Sequence, residues 1–113
     1  CSLVFISSMS IRDPFVGGSM YISVKAALEN YARVLGLELA PNGIRVNCVA
    51  PAFVKGPMLD QTRETTNQET INQIEARQPL GLGEPEDVAN TIAFYLSPAS
   101  RWISGTSLLM GGG

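Results

Sequence analysis

The chain is 113 residues long, 45% hydrophobic and 16% charged, the balance of one small globular domain able to bury a core. A net charge of −2 without any run of like charges gives it no electrostatic pull toward nucleic acid or an anionic membrane surface, and no apolar run approaches bilayer length. With no histidine and only Cys1 and Cys48, zinc sites of the usual kinds and a Ser-His-Asp triad are excluded, and no metal is expected.

Residues 3–6 are a short continuous apolar run bounded by serines, which predicts a strand buried on both faces of a parallel sheet. Cys1 stands where an initiator methionine is expected, so the chain reads as an excised piece or an incomplete reading frame. From Ser19 onward, Val24, Leu28, Tyr31, Leu35 and Leu39 recur at spacings of three and four, predicting a helix over 19–40 that stops at Pro41-Asn42-Gly43. Ala27, Val34 and Leu37 fall outside that stripe and suggest a second apolar contact, between subunits.

Residues 44–50, "IRVNCVA", predict a second strand ending at Pro51. Residues 52–65 show no periodicity, and residues 66–78 show a weak helical one. Pro85 opens a further helix with Val88, Ile92 and Leu96 on its inner face, and Glu84, Glu86 and Asp87 suit its N-terminus. The closing "TSLLM" is a third strand. Strand, helix, strand, helix, strand predicts an α/β layer with a parallel sheet in a single partial domain, residues 1–113.

The chemistry-bearing set is Ser8, Tyr21 and Lys25. Tyr21 and Lys25 are four apart, so on a helix they lie one above the other. An unperturbed phenol titrates near pH ~10, too weak an acid for efficient proton transfer at neutrality, and a nearby ammonium favours its ionised form. A phenol so placed can give a proton to a carbonyl oxygen or take it back from an alcohol. Ser8, at a strand end, could hydrogen-bond the same oxygen, and strand ends are where open α/β sheets bind ligands. The plain alternative is an amphipathic helix carrying a core or interface tyrosine beside a solvated lysine.

Segments around this set break the tie. A serine at a strand end, Tyr-x-x-x-Lys within a helix, "PNGIRVNCVAP" after it and "GEPEDVA…SGTSLLMGGG" at the end resemble, in order and spacing, the C-terminal half of short-chain dehydrogenases/reductases. The resemblance covers the whole chain. It implies half of a Rossmann-like doubly wound parallel sheet, about three strands with flanking helices. It also implies NAD- or NADP-dependent hydride transfer between a carbonyl and an alcohol, with Ser8 orienting the substrate oxygen, Tyr21 as acid/base and Lys25 gripping the nicotinamide ribose. The family's N-x-V-x-P-G-x-x-x-T loop matches Asn47, Val49 and Pro51, and the resemblance assigns cofactor contacts to Tyr21, Lys25, Pro51, Ala52, Val54 and Gly56. Ala52 replaces the usual glycine and Gly56 the usual threonine, which predicts lost backbone freedom at 52 and, at 56, a lost hydrogen bond of roughly 0.5–1.5 kcal/mol.

Gly111-Gly112-Gly113 departs from the usual Asp-Gly-Gly ending; some peroxisomal carbonyl reductases of the family also end in glycines, against a default cytoplasmic location. A free, flexible C-terminus is the plain alternative. The apolar surface outside the helix stripe leads to the expectation of a homo-oligomer formed through the 19–40 helix in the parent protein. These residues hold no Gly-rich phosphate turn, no "NNAG" segment and no residue selecting NAD over NADP. Two readings follow: the catalytic half of a dehydrogenase acting in a longer chain, or a truncated, non-catalytic interaction module or decayed fragment of such an enzyme. In the first, residues 53–77 form a substrate lid, with Phe53, Met58, Leu59 and Ile71 lining an apolar pocket or packing the lid onto the body. Without a neighbouring strand, residues 3–6 would present an apolar edge.

Overall fold

The computed structural model describes all 113 residues. Three parallel strands, β1 (Ser2–Ile6), β2 (Arg45–Pro51) and β3 (Ser107–Met110), form one sheet in the order β1-β2-β3. Its register runs from Ser2 opposite Arg45 to Ile6 opposite Val49, and from Cys48 opposite Ser107 to Pro51 opposite Met110. The helices are α1 (Ser19–Leu39), α2 (Pro57–Thr65), α3 (Gln68–Ala76) and α4 (Pro85–Leu96). No helix is long and apolar enough to cross a membrane.

Strand alternation explains the core. Val46 and Cys48 point to the same face of β2 and pack under Ala32 of α1, with Phe5, Leu35, Leu39 and Ile44 around them. Asn47 and Val49 point to the opposite face, and all four of these β2 side chains are fully buried. Only the central strand is covered this way. In β1, Leu3 and Ile6 are 38% and 37% exposed, so the strand expected to be buried on both faces is an edge strand with one open side.

α1 departs from the expected stripe. Its buried residues are Glu29, Ala32 and Gly36, with Lys25, Leu28, Leu35 and Leu39 half-buried beside them, whereas Val24 and Tyr31 lie on the exposed side. The true face is a seam of small residues. At Gly36 a Cβ would come within 2.9 Å of the Gly105 backbone nitrogen, so the side-chain-free position lets the helix sit close to the turn before β3. The predicted stop holds: α1 tightens into a 3-10 turn over Ala40–Asn42, and Gly43 caps it with φ of 69°.

α4 opens as expected on Pro85, with a capping box between Glu84 and Asp87. Its inner face, however, is Val88, Ile92 and Tyr95, and Leu96 is 51% exposed. Seven residues bring a helix back almost to its starting direction, and an eighth turns the side chain well away. Residues 52–65, expected to be aperiodic, contain α2; a nine-residue helix with Leu59 as its single buried residue shows no repeat to read. Arg45 locks the start of β2 to the end of α4, donating to the Ser100 hydroxyl at 2.8 Å and the Ser97 carbonyl at 3.0 Å.

Candidate active site

All three strands end at the same edge of the sheet, where ligands of parallel α/β folds bind. β1 runs out at Ile6 into two serines with different tasks. Ser7 is buried, its amide donating to the Val49 carbonyl at 2.8 Å and its hydroxyl to the Lys25 carbonyl at 3.0 Å. Ser8 is half-buried and caps a 3-10 turn, Met9–Ile11. Its Oγ accepts from the Ser10 amide at 3.2 Å and the Ser10 hydroxyl at 2.9 Å, which leaves its own proton free to donate.

Lys25 joins β1 to the helix. Its Nζ donates to the Ile6 carbonyl at 2.9 Å and lies 5.7 Å from the centroid of the Tyr21 ring, within cation–π range. Tyr21 is 40% exposed and its hydroxyl makes no hydrogen bond within the chain. Tyr21 and Lys25 are thus held together, with Ser8 two residues beyond the carbonyl that anchors the lysine; no hydrogen bond joins Ser8 to Tyr21 directly.

The loop after β2 is tied at several points. Ala52 donates its amide to the Met110 carbonyl at 2.7 Å, and Phe53 exchanges two bonds with the buried Gln78 side chain, at 3.1 and 3.0 Å. Val54 bridges Gly83 in parallel fashion: the Gly83 amide donates to the Phe53 carbonyl, and its carbonyl accepts from the Lys55 amide. In that pattern the N–H and C=O of Val54 itself face away from the bridge, and neither makes a hydrogen bond. The loop thus keeps one backbone donor and one backbone acceptor free side by side. The Asn47 side chain is used up internally, donating to the Ile103 carbonyl at 3.0 Å and accepting from the Thr106 amide and hydroxyl.

Arg12, just after the Ser8 turn, forms a bidentate ion pair with Glu29 at 3.0 and 2.6 Å. That guanidinium holds the Glu29 carboxyl below its usual range, against burial, which acts the other way. The buried Ser107 hydroxyl makes no hydrogen bond. Burial pushes the Cys48 thiol up, which makes it an inert core residue.

A family model described as enoyl-(acyl carrier protein) reductase matches residues 1–113. A tropinone reductase homolog of Arabidopsis thaliana is 39% identical over 113 residues, covering 99% of this chain and 42% of its own length. Human dehydrogenase/reductase SDR family member 4 is 37% identical over 117 residues, with 99% and 40% covered. The chain belongs to the short-chain dehydrogenase/reductase family. Among solved structures, a short-chain dehydrogenase/reductase from Mycobacterium ulcerans superposes with a TM-score of 0.89 at 28% identity, covering 98% of this chain and 40% of that one. A 7α-hydroxysteroid dehydrogenase, solved with NADH and 7-oxo glycochenodeoxycholic acid, superposes with a TM-score of 0.88 at 31% identity, covering 99% and 43%. The chain therefore spans less than half the length of these relatives.

Against the short-chain dehydrogenase/reductase pattern, the two departures in the loop prove unlike. Ala52 carries no strain, since no residue other than glycine has a positive φ. Gly56 sits at φ of 145° and ψ of −176°, a region essentially reserved for glycine, and turns the chain into α2. What reads as a lost hydroxyl is also a conformational requirement. Gly112 is held, the Leu80 amide donating to its carbonyl at 2.8 Å. Sequence reasoning missed Ser10, Arg12, Glu29 and Gln78. A signal existed for Glu29, a carboxylate four residues beyond Lys25 on the same helical face.

Proposed function

We propose that this chain supplies the reacting half of an NAD(P)-dependent oxidoreductase that interconverts a carbonyl and an alcohol. The observation that carries the reading is the placement of Lys25 between the Ile6 carbonyl and the Tyr21 ring, with the Tyr21 hydroxyl left free at the ligand-binding edge of the sheet. Ser8 donates its free proton to the substrate oxygen and orients it. Tyr21 moves a proton to or from that same oxygen, and the ammonium of Lys25 balances charge that builds on the phenol.

The nicotinamide, when bound, supplies or accepts the hydride. Its carboxamide would be held by the unpaired N–H and C=O of Val54, with Pro51, Ala52 and Gly56 forming the wall of that loop and Lys25 reaching the ribose. Relatives support NAD or NADP without choosing between them: one solved neighbour is described with NADH and another with NADPH. The same reading makes the protein a homo-oligomer through α1, supported by the exposed Met20, Val24, Val34 and Leu37 along that helix.

The test is Tyr21→Phe in the full-length protein, assayed by loss of NADH or NADPH absorbance with a panel of aldehydes and ketones. Deleting one exposed hydroxyl leaves the fold unchanged and lowers kcat by about a hundredfold or more. A variant that keeps most of its kcat overturns the assignment.

A further inference from the structure

We propose that Arg12 and Glu29 are a positioning pair that fixes Ser8 relative to Tyr21 and Lys25; this rests on the oxidoreductase reading above. A carboxylate on the covered face of a helix is rare unless paired, and the Glu29 side chain is only 10% exposed. Its partner is not a neighbour on α1 but the residue that closes the serine turn. The Arg12 amide donates to the Met9 carbonyl at 2.8 Å, so the guanidinium is attached to the same short turn that Ser8 caps.

The other end is equally specific. Tyr21, Lys25 and Glu29 follow one another at intervals of four on α1, along one face. A bidentate fork at 3.0 and 2.6 Å fixes direction as well as distance, which a single contact would not. Two further ties join Ile6 and Ser7, at the end of β1 and just past it, to Lys25 of α1: the Ser7 hydroxyl donates to the Lys25 carbonyl and Lys25 Nζ to the Ile6 carbonyl, so both are anchored on residues before Ser8. The Arg12–Glu29 pair lies after it. Ser8 is therefore bracketed, and the bracket loses one side when the ion pair is removed. Ser10, donating twice to Ser8 Oγ, passes the position of the turn to the reacting hydroxyl.

The experiment measures kcat and KM separately for Glu29→Gln and Arg12→Lys in the full-length protein, each in the parent and in a Ser8→Ala background. Misplacing a reacting group by a fraction of an ångström to an ångström lowers rates, so Glu29→Gln is expected to reduce kcat roughly ten- to a hundredfold with KM little changed. If the pair acts through Ser8, the same substitution in the Ser8→Ala background costs less than about twofold more, because coupled effects do not add. Arg12→Lys keeps the charge, breaks the fork and gives a smaller loss with the same dependence on Ser8. Its side chain is 47% exposed, so this variant folds and decides the matter alone if Glu29→Gln does not.

An equal loss in both backgrounds overturns the proposal and leaves the pair a structural contact; an unchanged kcat also overturns it. The underlying reading fails separately, when Tyr21→Phe and Ser8→Ala both retain activity.

Discussion

Glu29 carries the clearest pH signature among the individual residues. Its folded carboxyl is held below the ordinary range by the hydrogen-bonded Arg12, so the ionised form favours the folded state. The stabilisation is complete above the unfolded value of about 4.3 and is lost as pH falls through the depressed folded value below it. Denaturant melts of the full-length protein should therefore show a stability loss below about pH 4.3 that Glu29→Gln reduces. An acid profile identical in the two proteins would show that the ion pair does not survive in solution. Around the serine, Ser7 and Lys25 spend their side-chain donors on backbone carbonyls, Ser10 on Ser8 and Arg12 on Glu29, while the Tyr21 hydroxyl stays unbonded.

At the scale of elements, α2 and α3 form a paired flap hung from a firm base. The Arg63–Glu75 ion pair at 3.0 Å joins the two helices, and Gln78 clasps Phe53 where the flap begins and ends. The Lys55–Glu84 ion pair reinforces that base, and Arg77 at the end of α3 pairs with Asp13 beyond the serine turn. Of the apolar residues expected there, Leu59 and Ile71 are buried and pack the flap, whereas Met58 is 71% exposed and free to meet a ligand. Hydrogen exchange in the full-length protein should show residues 53–77 gaining protection when substrate binds; no added protection would remove the lid role. Gly56→Thr restores the residue usual in the family, yet at φ of 145° any side chain is strained, even though the space around it is open. It should destabilise the protein by about 1–3 kcal/mol in denaturant unfolding, and an unchanged midpoint would show that the turn relaxes.

For the whole molecule, the expectation is that these 113 residues by themselves bind no dinucleotide tightly. Affinity in such folds leans on pyrophosphate at a helix N-terminus and on adenine and ribose pockets, and no Gly-rich phosphate turn is present here. Contacts from Tyr21, Lys25 and the loop at 51–56 alone must offset several kcal/mol of lost translational and rotational freedom. Titration calorimetry of the 113-residue chain with NADH and then NADPH should give no low-micromolar binding with either. Such binding would show that the nicotinamide end carries more of the affinity than its contacts suggest.

The sequence by itself determined the α/β order, the strands, the long helix with its stop at Pro41-Asn42-Gly43, and the adjacency of Tyr21 and Lys25 on that helix, because each is written in local spacing: apolar runs, turn residues, intervals of four. Tertiary structure decided which residues of each helix lie deepest. On α1 the buried face is small residues and one carboxylate, because Gly36 meets Gly105 and Glu29 meets Arg12, contacts between residues far apart in the chain that no local periodicity encodes. It also decided that Tyr95 rather than Leu96 faces inward, that Gly56 is held at a glycine-only angle, and that Val54 keeps a free donor and acceptor. Each of those follows from where a second segment lies, and a single strand or helix read alone carries no record of its neighbour.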